Sequence, residues 1–176
     1  ARCKPPGSLD AGERSLRGYR RLWQLSRQDI ELAGEHVQAA IAIDPTLVAA
    51  HVGLALLQTA RVLHGWVENT DSTLHEAELA AKTAISLDDR DALAHAVLGR
   101  IHTTRWQFEA AVVELALALE LNPNLAYAYN GMGIALFWSG RAREAIDFFH
   151  RAVRQSPRDP ARCSFELHVG FCHYSL

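Results

Sequence analysis

An all-α stack of antiparallel helix hairpins is predicted by three columns of residues that recur in step along the chain. Pro45, Asp89, Pro123 and Pro157 mark one column, and Ala33, Ala77, Ala111 and Ala145 a second. Ala40, Ala84, Ala118 and Ala152 form the third. Each column is spaced by 44, 34 and 34 residues, so the first interval is one repeat plus ten inserted residues. One such column could arise by chance, but three in register do not. A fixed period of this size marks a repeat architecture.

Taken in order, residues 1–12 read as a linker, because Pro5, Pro6, Gly7 and Ser8 stand together. Helices are then expected over 13–26, 29–43, 46–63, 73–87, 91–105, 107–121, 125–139, 141–155 and 160–176. The turns between hairpins lie in IDPTL, LDDRD, LNPNL and QSPRDP. A proline there cannot continue the preceding helix, and it pushes the residue before it out of the helical region. The two alanine columns lie seven apart on the second helix of each pair, on one face, where small side chains let backbones approach. Within a hairpin, Gly140 of Ser139-Gly140-Arg141 suits a left-handed helix cap. The ten inserted residues fall around Arg61 to Ser72 and are expected to form a surface loop, with Trp66 packed back on the body.

Composition narrows the function. The chain of 176 residues is 49% hydrophobic and 22% charged, which fits a packed domain rather than broad disorder. With 18 basic and 20 acidic residues, it lacks the basic excess that phosphate binding demands. No run approaches the length of a membrane span, and ARCKPPGSLD has no signal-peptide core. Cys3, Cys163 and Cys172 are an odd set without metal-type spacing, which suits a reducing, cytoplasmic setting.

In NLAYAYNGMGIALFWSGRAREAIDFFHRAVRQSP, Tyr129, Met132, Gly133, Gly140, Ala145, Phe149, Ala152 and Pro157 fill signature positions of the tetratricopeptide repeat (TPR). In the repeat before it, His95, Leu98, Gly99, Ala111, Leu115, Ala118 and Pro123 do so. Residues 13–176 thus resemble the TPR family, whose repeat is a helix–turn–helix of 34 residues. The resemblance implies a right-handed α-solenoid, the TPR superhelix, of about four hairpins plus an unpaired last helix. Two departures stand out: His95 replaces an aromatic, and Trp106 stands where the turn glycine is expected. Gly170 fits the glycine column, which puts Leu176 just before a missing turn and implies that the chain is cut from a longer protein. The opening SLRGYRRLWQLSRQDIELAGEHVQAAIAIDP, the GWVE insertion and RQSPRDP resemble repeats found behind bacterial class III adenylate or guanylate cyclases and winged-helix regulators.

The same resemblance implies a protein–protein interaction module with a concave groove lined by the first helix of each hairpin. Family positions place Leu56, Arg100, Thr104, Tyr127, Asn130, Ile134, Phe137, Trp138, Phe171 and Tyr174 there, with Ser164 and Leu167 beside the last two. About half of the groove positions are expected to fill helix-to-helix core instead. Only Arg100 and Asn130 match the basic and amide residues of relatives that grip two carboxylates, so an apolar helix or an extended peptide with aromatic anchors fits better.

Other chemistry finds less support. His168, Cys172 and His173 share a helix, but a zinc site needs three or four convergent ligands, so no metal is assigned. His51 and His95 occupy the aromatic packing column and read as core-edge residues. No Gly-x-Ser-x-Gly elbow and no phosphate-cradling glycine loop occurs, so no catalytic residue and no cofactor is assigned. A hydrolase using the groove, with Ser139 and His150 as the residues to test, and a free-standing adaptor remain alternatives. The arginines between Arg141 and Arg162 read as a solvated face broken by Glu144 and Asp147, not as a nucleic-acid patch. In the last helix, Phe165, Val169, Phe171, Cys172 and Tyr174 are spread too widely for one packing face. That helix is expected to meet a second copy of the chain, giving a homodimer.

Overall fold

The computed structural model describes residues 6–22, 26–158 and 162–176, with the backbone alone for residues 6–9. Among these residues there are nine α-helices and no strand. They run α1 (Pro6–Leu22), α2 (Arg27–Ile43), α3 (Val48–Leu63), α4 (Thr70–Leu87), α5 (Ala92–Thr104), α6 (Phe108–Leu121), α7 (Ala126–Trp138), α8 (Ala142–Gln155) and α9 (Arg162–Ser175). The helices form two compact units, Ala1–Asp89 and Arg90–Leu176.

In the first unit α1 pairs with α2 and α3 with α4, and α3 also packs on α1 and α2. Helix α1 begins earlier than expected, so the stretch read as a linker is helical from Pro6. Proline is tolerated in a first turn, where its missing N–H would have no helical partner anyway. Cys3 and Pro5 lie outside the described residues. The N-cap of α2 is Ser26, whose Oγ accepts from the Asp29 N–H at 3.1 Å.

The ten inserted residues do not make one long surface loop. Helices α3 and α4 have 16 and 18 residues, against 13 and 14 for α5 and α6. The link between α3 and α4 is residues 64–69, and that between α5 and α6 is residues 105–107, so helix extension absorbs most of the insertion. Good helix formers such as Leu74, Glu76 and Ala77 favour that outcome. Trp66, expected to pack back on the body, stacks on its exposed loop neighbour His64 at 4.6 Å and is partly buried.

In the second unit α5 pairs with α6, α7 with α8, and α9 packs on α8 and more lightly on α7. The alanine columns of both units, Ala33, Ala77, Ala111 and Ala145 with Ala40, Ala84, Ala118 and Ala152, are all 0% exposed. They are the points where second helices are crossed closely. Overpacking them by Ala111→Leu or Ala145→Leu should cost about 1–3 kcal/mol and lower the melting temperature. A melting curve unmoved by either change would contradict that placement.

The helix ends repeat too. Gly65, Trp106 and Gly140 each follow a helix cap with positive φ, at 68, 61 and 83°. The next residue donates back to a carbonyl five positions earlier: Trp66 to Arg61 at 2.8 Å, Gln107 to His102 at 2.9 Å, Arg141 to Leu136 at 2.8 Å. This is the Schellman closure, which satisfies carbonyls left over at a helix end. Trp106 therefore keeps the left-handed conformation that glycine would adopt freely, and a bulky side chain there is strained.

The last helix departs from expectation. Phe165 and Cys172 are buried and Val169 packs against the core, so positions spaced by four and three form one packing face toward α8 and α7. A second stripe of the same spacing, Leu167, Phe171 and Tyr174, is exposed. Around Gly170 an added Cβ would meet nothing within 4 Å.

Candidate functional site

The first helices of the second unit, α5, α7 and α9, carry nine of the ten expected groove residues. Leu56 is in the first unit, where it is buried in α3. Ile134 is also buried, as part of the core that holds Met132, Leu136 and Phe149. These two side chains thus fill core rather than line an open surface. Each follows a close-packed stretch of its helix, where the helix faces its neighbours. Arg100, Thr104, Tyr127, Asn130 and Phe137 are partly exposed, whereas Trp138, Phe171 and Tyr174 are exposed. Thr104 turns its hydroxyl back onto the Arg100 carbonyl at 3.0 Å. The groove list thus divides into core and surface.

An aromatic cluster joins the ends of α5 and α7. Trp138 is 53% exposed and meets Trp106 edge-to-face at 5.5 Å and Phe137 at 5.2 Å. Trp106, itself 66% exposed, also meets Phe108 at 5.7 Å. Edge-to-face contacts of this kind help hold an outward tryptophan in one position. The place of Trp106 in the glycine column was a signal for it, but only the fold puts its ring beside Trp138.

Three titratable side chains stand on these first helices: Arg100 on α5, Tyr127 on α7 and His168 on α9, with α7 packed against both other helices. Burial disfavours the charged form of each, so it lowers the Arg100 pKa, raises that of Tyr127 and lowers that of His168. The positive charge of Arg100 lowers His168 further, while a hydrogen bond to the Ser164 carbonyl at 2.6 Å acts the other way. His168 also stacks on Phe149 at 5.2 Å.

The remaining candidates have structural partners. Tyr129 donates to the Pro123 carbonyl at 3.1 Å, and His51 contacts the Pro45 carbonyl at 2.8 Å from the equivalent position. His95 instead meets Glu114 at 2.7 Å. Ser139 donates to the Leu136 carbonyl at 2.9 Å within a helix cap, and His150 is exposed on α8. Arg141 holds Glu144 at 2.7 and 2.8 Å, and Arg162 holds Glu166 at 2.8 Å, which neutralises two members of the arginine stretch. Among the described residues no group of three His, Cys, Asp or Glu could hold a metal ion, and no helix is long and apolar enough to cross a membrane.

The architecture has clear counterparts. A thermophilic TPR protein of Thermus thermophilus matches with a TM-score of 0.68 at 20% identity, over 82% of this chain and 73% of that one. PilF of Pseudomonas aeruginosa matches at 0.67 and 22% identity, over 96% of this chain and 70% of PilF. The fold is that of the TPR proteins. It is an all-α helical-repeat fold of the solenoid class, as expected from the repeat columns. An O-GlcNAc transferase of Thermobaculum terrenum matches at 0.67 and 21% identity, over 87% of this chain but only 27% of the transferase. No protein-family model and no curated protein matches the sequence.

Proposed function

We propose that the chain is a protein-interaction module that holds a partner peptide or helix against α5, α7 and α9 of its second unit. The observation that carries this reading is the set of exposed aromatic side chains, Trp138, Phe171 and Tyr174, on the first helices of successive hairpins. Exposed aromatics fixed on a rigid frame are the usual anchors of interfaces, because they bury much area at little entropic cost. The TPR fold of its structural counterparts supports the same reading, and the segment itself is read as non-catalytic.

The finer placement is as the regulatory region of a larger bacterial, cytoplasmic signalling protein, and it rests on the short stretches noted above. The exposed stripe of Leu167, Phe171 and Tyr174 could equally seat a second copy of the chain, so we include a homodimer through α9 in the proposal. Sedimentation at rising concentration decides that point.

Trp138→Ala should weaken a captured partner segment by about 2 kcal/mol or more. Isothermal titration with the minimal binding segment measures this. An unchanged affinity, with the helical circular dichroism intact, would remove the groove from the proposal.

A further inference from the structure

The link between α3 and α4, residues 64–69, is twice as long as the links 105–107 and 139–141 of the second unit. With the adjoining ends of α3 and α4 and the start of α2, it borders an open cavity of about 550 Å³ in the first unit. Small-molecule sites span roughly 300–1,000 Å³, so the space is of that kind. Arg27, Arg61, Trp66, Glu68, Ser72 and Glu76 line it.

Arg61 of α3 and Glu76 of α4 both reach the cavity, yet they do not pair with each other. Gln58, only 7% exposed, stands between them. Its carbonyl accepts from Arg61 Nη1 at 3.0 Å, and its NH2 donates to Glu76 Oε2 at 2.7 Å. The carboxamide can face only this way, since a guanidinium has no acceptor and a carboxylate no donor. A neutral buried group thus fixes two opposite charges and keeps them apart, leaving Arg61 Nη2 and Glu76 Oε1 without a described partner. Arg27 bonds Glu31 through Nε alone at 3.4 Å, and neither Glu68 nor the Ser72 hydroxyl has a partner among the described residues. The cavity therefore offers open hydrogen-bonding capacity of both signs beside the Trp66 ring.

We propose that this cavity binds a free α-amino acid, its carboxylate on Arg61 and its ammonium on Glu76. A lone anion would leave Glu68 and Glu76 facing it, and a lone cation would leave Arg27 and Arg61. A molecule carrying both charges answers both with charge-assisted hydrogen bonds. The oxygen and nitrogen of a carboxamide sit on one carbon, and the carboxylate and ammonium of an α-amino acid on adjacent carbons. Such a ligand therefore matches the gap that Gln58 spans, whereas one with its charges further apart does not. The ligand's side chain then lies toward Trp66 and Val67, which favours an apolar one. The site belongs to the first unit and does not rest on the interaction reading above.

The test titrates the 176-residue chain with free apolar L-amino acids at millimolar concentration and follows the Trp66 indole N–H by nuclear magnetic resonance. Trp66→Phe assigns that signal. At least one amino acid should shift it. The amide and the N-acetyl derivative of that amino acid, and γ-aminobutyrate, should each bind about tenfold or more weakly. Arg61→Met should erase the preference for the acid over its amide, and Glu76→Gln the preference for the free amine over its N-acetyl form. Arg61→Gln replaces Arg61→Met if circular dichroism shows the latter unfolded. No shift of the Trp66 signal by any amino acid, equal binding of the singly charged derivatives, or a preference that survives in its variant overturns the proposal. A shift by inorganic phosphate or a nucleoside monophosphate, but by no amino acid, overturns the ligand class.

Discussion

Phe149→Ala is expected to destabilise the chain by about 3–5 kcal/mol, the range found for emptying a buried aromatic site. Phe149 is 0% exposed on α8, the largest fully buried side chain among the described residues. Its ring lies so close to α7 that a Cβ at Gly133 would stand 2.7–2.8 Å from three ring carbons. His168 covers it from α9, with ring centroids 5.2 Å apart. Three helices therefore meet on one ring, and its removal leaves a cavity between them. Urea unfolding followed by circular dichroism measures the loss. The reason for glycine at 133 follows from the same geometry. Gly133→Ala should destabilise the wild-type chain, yet in the Phe149→Ala background it should gain up to about 1 kcal/mol from helix propensity. A loss below about 1 kcal/mol for Phe149→Ala, or no change of sign for Gly133→Ala, would show that the ring is not the wedge.

Gly133 and Phe149 also show why the fold was legible in the sequence. Where two helices cross closely, one side must give up its Cβ and the other must supply bulk, so small residues recur at a fixed spacing whatever surrounds them. The alanine columns obey the same rule, and all eight are buried. The insertion was harder to read, because the spacing of columns counts residues and does not say whether they lengthen helices or loops. In α9 the helical period separates Phe165, Val169 and Cys172 from Leu167, Phe171 and Tyr174. Treating apolar residues as one ring hid the packing face that the structure uses. The groove was legible only as a set of family positions. Whether such a position faces solvent depends on what packs beside it, so Ile134 falls in the core while Trp138 stands out. The approach of Trp106 to Trp138 is tertiary, and no local pattern encodes it.

Leu115→Ala should cost about 2–5 kcal/mol and should also loosen the groove. Leu115 is 0% exposed on α6 and packs against both first helices beside it. A Cβ at Gly99 of α5 would stand 2.6 Å from its Cγ, and one at Gly131 of α7 would stand 2.7 Å from its Cδ2. One leucine therefore sets the approach of α5 to α7, with a glycine on each side to receive it. Residues in such contact do not act independently, so Gly131→Ala should be less harmful after Leu115→Ala than before it. A coupling of about 0.5–3 kcal/mol from the double-mutant cycle is expected. Additive effects would mean that Leu115 shifts freely and that the glycines have another role. The consequence for binding follows from position. Arg100 stands next to Gly99, and Asn130 stands next to Gly131. The residue that spaces those glycines also spaces the groove side chains beside them. Leu115→Ala should thus weaken a peptide held against α5 and α7 even at temperatures where the chain remains fully folded, although Leu115 itself is wholly buried. Titration well below the melting transition separates this effect from simple unfolding, and an unchanged affinity there would show that the groove does not depend on this wedge.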